Sequence, residues 1–216
     1  MQTHFDQELG DLKNKLLTMA SHAESAVTNG VKALVDRDDA LSEKVEQDDA
    51  ILDQFEIDID EMCISLLSKA PLARDLRLIT VAMKISQNLE RVGDEATKIA
   101  RRAKELNQEP QLKPYVDLPN MAKIALTMLK ESLDSFVHRN TDNARAIIPR
   151  DKEVDSLNKQ LHRELASYMV EKPSTITRCL NLMVISKSLE RIADHATNVA
   201  EEVVYLCEAR DIRHGG

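Results

Sequence analysis

Two segments of this chain, 100 positions apart, nearly coincide: Leu89-Glu-Arg-Val-Gly-Asp-Glu-Ala-Thr-Lys-Ile-Ala100 and Leu189-Glu-Arg-Ile-Ala-Asp-His-Ala-Thr-Asn-Val-Ala200. A match of this length marks a duplicated unit, so both copies must bury the same apolar positions in the same way. Those positions exchange only Val for Ile or Ile for Val, apart from the Gly93/Ala193 pair. Exposed polar positions have no packing reason to repeat. Glu90, Arg91 and Asp94, with Glu190, Arg191 and Asp194, are therefore where function is sought.

Apolar residues recur at three- and four-residue steps nearly throughout, which is the period of a helix with one buried face. Leu9, Leu12, Leu16 and Met19 open this pattern. It predicts helices over 5–35, 40–68 and 76–106, separated by the capping residues 36–39 and by a break over 69–75 that contains Pro71. On the second helix Leu41, Val45, Ile51, Phe55, Ile59, Met62 and Leu66 are read as inward-facing. Pro110, Pro114 and Pro119 mark a linker at 107–119. The pattern then restarts, with helices over 118–138, over 143–171 with a kink at Pro149, and from Pro173 to 209. The expected fold is all-α: two tandem antiparallel three-helix bundles, residues 1–106 and 120–216, joined by that linker. Helices of about 30 residues span about 45 Å, so each half is a rod.

Five glycines and six prolines in 216 residues favour long helices over sheet. With 3% aromatics and no Trp, the core must be built from Leu, Ile, Val, Ala and Met. A net charge of −8 excludes nucleic acid as a partner class, because phosphate neutralisation needs a clustered positive surface. No apolar run reaches the length of a membrane span and no leader pattern opens the chain, so a cytoplasmic protein is expected, meeting membranes only through partners. Cys63, Cys179 and Cys207 form no CxxC pair and read as small buried or half-buried thiols.

Glu90 and Asp94 stand one turn apart on the third helix, as do Glu190 and Asp194 on the sixth. The second and fifth helices carry Asp49 and Asp53, and Asp151 and Asp155. Acids fill 37 of 216 positions, so pairs four apart also arise by chance. Chance does not readily place the same two pairs at the same two places in both halves. On a helical wheel Glu90 and Asp94 lie roughly 120–180° from the Ile85/Leu89/Val92/Ala96 stripe, which puts them outside the core. Two readings follow. The carboxylates are a solvated face, or they are a cation site, in which a bound ion turns a like-charge repulsion of about 0.2–0.5 kcal/mol per pair into attraction. All-oxygen donors suit Mg, Mn, Ca or iron better than Zn.

A buried di-iron oxidase would need Glu-x-x-His pairs, and no Glu precedes any of the six histidines by three. His195 is either an extra ligand beside Asp194 or a surface or interface histidine. There is no phosphate-binding Gly loop, nucleophile elbow or Cys/His pair, so no enzyme is expected. Arg91 and Arg191 read as salt-bridge partners of neighbouring helices, with an acidic partner or phosphate as alternatives. Asp75 is placed to complement the dipole at the start of the third helix.

These residues taken together resemble the PhoU family along essentially the whole chain. The likeness rests on Pro71-x-Ala-x-Asp-Leu-Arg77, on Leu89-Glu-Arg-Val-Gly-Asp94, on Leu189-Glu-Arg-Ile-Ala-Asp-His195 and on the Asp-x-x-hydrophobic-Asp elements. Phe5-x-x-Glu-Leu9 and Arg213-His214 add to it. The resemblance implies a non-enzymatic negative regulator of the phosphate-starvation response and of phosphate uptake, usually oligomeric and here expected to be a homodimer. It implies an adaptor between the ATPase subunit of the phosphate ABC transporter and the sensor histidine kinase. The alternative is a PhoU-like paralogue or helical scaffold acting on another phosphate transporter. It also implies metal ligation, by Fe, Mn, Mg, Ca or Zn, through Asp49, Asp53, Glu90 and Asp94 in one half and Asp151, Asp155, Glu190 and Asp194 in the other. Asp48, Glu56, Asp58 and Asp60 make the first site richer in acid than the Asn158 and His162 region of the second, so the two sites are expected to differ.

Overall fold

The computed structural model describes residues 4–69 and 72–212. Pro71, Arg213 and His214 lie outside them. The described residues form no strand. The elements are α1 (His4–Asp36), α2 (Asp39–Leu67), α3 (Ala73–Asn107), α4 (Asp117–His138), α5 (Thr141–Ile147), α6 (Asp151–Glu171) and α7 (Ile176–Glu208). Short 3₁₀ turns at Ile148–Arg150 and Pro173–Thr175 precede α6 and α7. The helix expected over 143–171 with a kink at Pro149 starts at Thr141 and is interrupted at Pro149 by the 3₁₀ turn Ile148–Arg150. Pro149 has no N–H to continue the ladder, so a 3₁₀ turn separates α5 from α6. The third helix starts three residues earlier than the spacing predicts, at Ala73.

Polar residues set the tight corners. Asp38 accepts from the Leu41 N–H at 2.9 Å to cap α2, after Arg37 turns through a left-handed φ of 56°. Asn140 repeats the device, accepting from the Asn143 N–H at 3.1 Å after Arg139 at φ 53°. Each pair reverses the chain between antiparallel helices.

Helices α1, α2 and α3 pack together, as α4, α5 and α6 do around α7. The aromatic-poor core is Leu, Ile, Val, Ala and Met, with Phe136 as its one fully buried aromatic among the described residues. The duplication reaches single contacts: the Ser86 hydroxyl meets Met19 Sδ at 3.5 Å in one half, and Ser186 meets Met121 Sδ at 3.7 Å in the other. On α2 Val45, Leu52, Ile59 and Leu66, seven residues apart, point inward together with Ser42 and Cys63. Ile51, read from sequence as inward, is 39% exposed, because Leu52 takes the core position one step round the helix.

Leu52 fits there because of Gly93. A Cβ at position 93 would stand 2.3 Å from Leu52 Cδ1. The second half has Ala193, and the residue corresponding to Leu52 is the smaller Val154. The methyl has moved from one helix to the other, which conserves volume where α2 and α3, or α6 and α7, approach.

The two halves meet mainly through α3 and α7. Contacts at Lys84–Glu202 (3.1 Å), Asn88–His195 (3.0 Å) and Glu95–Arg191 (3.2 Å) run in opposite senses along the two helices, so α3 and α7 are antiparallel. Positions 88 and 95 on one helix face 195 and 188 on the other, which is a two-fold exchange of the repeat.

Candidate functional site

Asp49 and Asp53 from α2 and Glu90 and Asp94 from α3 come within electrostatic reach of one another at the surface of the first half. Burial pushes the Asp49 carboxyl up, and the charges of Asp53 and Asp94 add to the rise. Glu90 is raised by burial first and then by Asp94, Glu56 and Asp53. Glu56 belongs to the same patch, raised by burial and then by Asp60, Asp53 and Asp94. Sequence spacing alone assigned Glu56 only to a difference between the halves; it lies one turn past Asp53.

In the second half Asp151, Asp155, Glu190 and Asp194 form the counterpart. Asp194 keeps a face to solvent, yet partial desolvation, followed by the charges of Glu190, Asp155 and Asp151, pushes it up to about 6. The expectation that all these carboxylates stand outside the core fails at Glu190, which is only 9% exposed. There α6 packs along α7, and the Lys187 ammonium one turn earlier pairs with the Glu190 carboxylate.

The repeated arginines are used differently. Arg191 crosses the seam to Glu95, whereas Arg91 turns back on its own motif, 3.4 Å from Glu90 Oε2 and 3.5 Å from Asp94 Oδ2. The cause lies at positions 95 and 195. The two-fold exchange offers Arg191 a carboxylate, Glu95, but offers Arg91 the imidazole of His195. Burial holds His195 below the usual histidine range, and Arg91, Arg191 and Lys98 oppose its protonation, against Glu95. With no acid opposite it, Arg91 folds back and partly neutralises the first patch. His195 is thus an interface histidine, its Nδ1 directed at Asn88 Oδ1.

Glu95 is the group that sequence reasoning passed over. It is 5% exposed and bound to Lys98 at 2.8 Å as well as to Arg191. Burial alone would raise its pKa, but Lys98, Ser188 and Arg191 together hold it below the usual carboxylate range. The signal was present as the one position in the repeat where an acid faces a histidine.

Chemically, each patch is a set of carboxylate oxygens on two adjacent helices, with like charges raising one another. Such a donor set fits a hard cation. Among the described residues no three His, Cys, Asp or Glu side chains stand arranged to hold one ion as placed, so ligation would require the carboxylates to rotate inward.

The PhoU domain family matches residues 16–103 and 118–203, one copy in each half. The chain belongs to the PhoU family. It is 42% identical to a Pseudomonas aeruginosa homologue of the phosphate-specific transport system accessory protein PhoU, over 98% of this chain and 88% of that one. Against the accessory protein PhoU of Escherichia coli it is 33% identical, again over 98% of this chain and 88% of the relative. Its fold matches the crystal structure of PhoU from Pseudomonas aeruginosa with a TM-score of 0.92 at 41% identity, covering 96% of this chain and all of that one. PhoU from Streptococcus pneumoniae, described as a phosphate transport system regulatory protein, matches with a TM-score of 0.91 at 28% identity, covering 97% and 99%. No helix among the described residues is long and apolar enough to cross a membrane.

Proposed function

We propose that this chain is a phosphate-transport accessory protein that works in the cytoplasm without catalysis. It restrains the phosphate-starvation response and phosphate uptake by bridging the ATPase subunit of the phosphate ABC transporter and the sensor histidine kinase. The observation that carries this reading is full-length similarity, in sequence and fold, to proteins named for phosphate-specific transport. Its two surfaces and central seam suit an adaptor: long helices offer extended faces, while α3 and α7 fix their relation.

The acidic patches are its candidate cation sites. Asp49, Asp53, Glu90 and Asp94 would hold an ion in the first half, and Asp151, Asp155, Glu190 and Asp194 in the second. A bound ion would supply positive charge between helices whose carboxylates otherwise repel. Mg, Mn, Ca or Fe suits these oxygens better than Zn.

The adaptor role is tested by binding. The immobilised chain should capture the purified ATPase subunit, and that complex should still take up the cytoplasmic part of the kinase. Binding of neither protein would remove the bridging role, and mutually exclusive binding would replace a bridge by a switch. Sedimentation velocity on the same preparation measures the expected dimer.

A further inference from the structure

Helices α1 and α4 touch only lightly, and between them runs an open groove with a cavity of about 390 Å³. Its floor is apolar, built from Val31, Ala122 and Leu126. Lys123 and Lys130 of α4 stand on its rim, opposite Glu24 of α1. The helices are antiparallel here. Glu24 feels the charges of Lys130 and Asp134, while Lys13, further toward the N-terminus, feels those of Arg139 and of Arg74. That register carries Leu17 and Val137, 37% and 38% exposed, onto the same strip.

The strip is cationic on a chain whose net charge is −8. Lys13, Lys123, Lys130 and Arg139 enter no ion pair with a carboxylate among the described residues. Glu24 lies near Lys130 and Asp134, and Arg74 is held by Asp75 at 3.4 Å, which leaves Lys13, Lys123 and Arg139 in excess along the strip. Cations left unpaired along an apolar floor are complementary to a ligand that is apolar on one side and acidic along one flank. Two long antiparallel helices with a shallow trough between them have the shape that receives a third helix. Lys123 and Lys130 are about two turns apart on one face, so acids two turns apart on the guest would meet both.

We propose that the α1/α4 groove binds an amphipathic helix of a partner protein, with its apolar face on Val31, Ala122 and Leu126 and the Asp and Glu of one flank on Lys123 and Lys130. This deepens the adaptor reading and rests on it for the existence of a protein partner. The groove itself is tested without that partner, so the two can fail separately.

The probe is a fluorescein-labelled, hydrocarbon-stapled peptide of about 20 residues, with Leu at heptad positions and Glu along one flank. Fluorescence anisotropy should show saturable binding to the full chain that weakens as salt rises. The double variant Lys123→Glu/Lys130→Glu should bind at least about tenfold more weakly, and so should the Lys-flanked form of the peptide to the unaltered chain. Both lysines are exposed, so the circular dichroism of the variant should be unchanged. The proposal is overturned by absence of binding, or by binding that the charge reversal leaves alone. It is equally overturned if sedimentation velocity shows a dimer that the double variant dissolves. In that case the groove receives a second copy, for which α2 with its exposed Ile57 and Ile64 is the available helix.

Discussion

Arg191 Nη1 lies 3.2 Å from Glu95 Oε1, across the seam between the two halves, while its counterpart Arg91 stays on its own side. Among the differences between the two copies of the segment, Glu95 against His195 produces this asymmetry. Its consequences reach both the stability of the seam and the charge of the first acidic patch.

Glu95→Ala removes a buried carboxylate that Lys98 and Arg191 share. Both cations are partly solvated and tolerate its loss, so the expected destabilisation is about 2 kcal/mol, the range for hydrogen bonds to charged groups. Arg191→Ala should cost less, since Lys98 continues to satisfy Glu95. Urea denaturation of the two variants orders them, and equal costs would mean that the seam does not depend on the shared carboxylate.

Arg91→Ala should strengthen Mn²⁺ binding at the first patch by about 2- to 5-fold, the worth of one or two exposed ion pairs. Arg191→Ala should leave the second patch unchanged, because Arg191 is engaged with Glu95. Titration followed by electron paramagnetic resonance of free Mn²⁺ separates the two. A weaker first site in Arg91→Ala would show that the guanidinium does not compete with the ion.

Gly93→Ala gains about 1 kcal/mol of helix propensity but forces Leu52 Cδ1 out of its place, an overpacking cost of about 1–3 kcal/mol. A net loss near 1 kcal/mol is expected. Adding Leu52→Val, which copies the Val154/Ala193 pairing of the second half, should recover it. A double variant less stable than either single one would contradict the volume exchange.

Asp194, pushed up to about 6 from an ordinary 3.8, holds its proton in the folded state over a pH range where the unfolded chain has released it. Native stability from this group therefore rises as pH falls from 7 through about 6 toward 4. Asp194→Asn should stabilise the fold at pH 7.5 and gain little at pH 4. A gain that is independent of pH would remove the like-charge account of the second patch.

Much of this was legible in the sequence, because the repeat fixed the number of halves and the helical period fixed their class. Neighbouring apolar residues were harder. Ile51 and Leu52 fit the α2 stripe almost equally, and the choice depends on the space above Gly93, which belongs to another helix. Glu190 looked exposed on the wheel of α7 alone; its burial depends on how closely α6 lies beside it. Asp38 announced its cap locally, since capping needs only the next turn. Glu95 and His195 could be seen to differ, but their meaning required knowing that α3 and α7 pack antiparallel.

The most direct test of the central claim is phosphate-starvation reporter activity in a strain lacking this chain, grown with ample phosphate. High activity that the intact chain returns to its low level is the expected result, and it establishes restraint of the response. Activity that remains low without the chain would contradict the regulatory role, leaving a member of the PhoU family that serves another transporter.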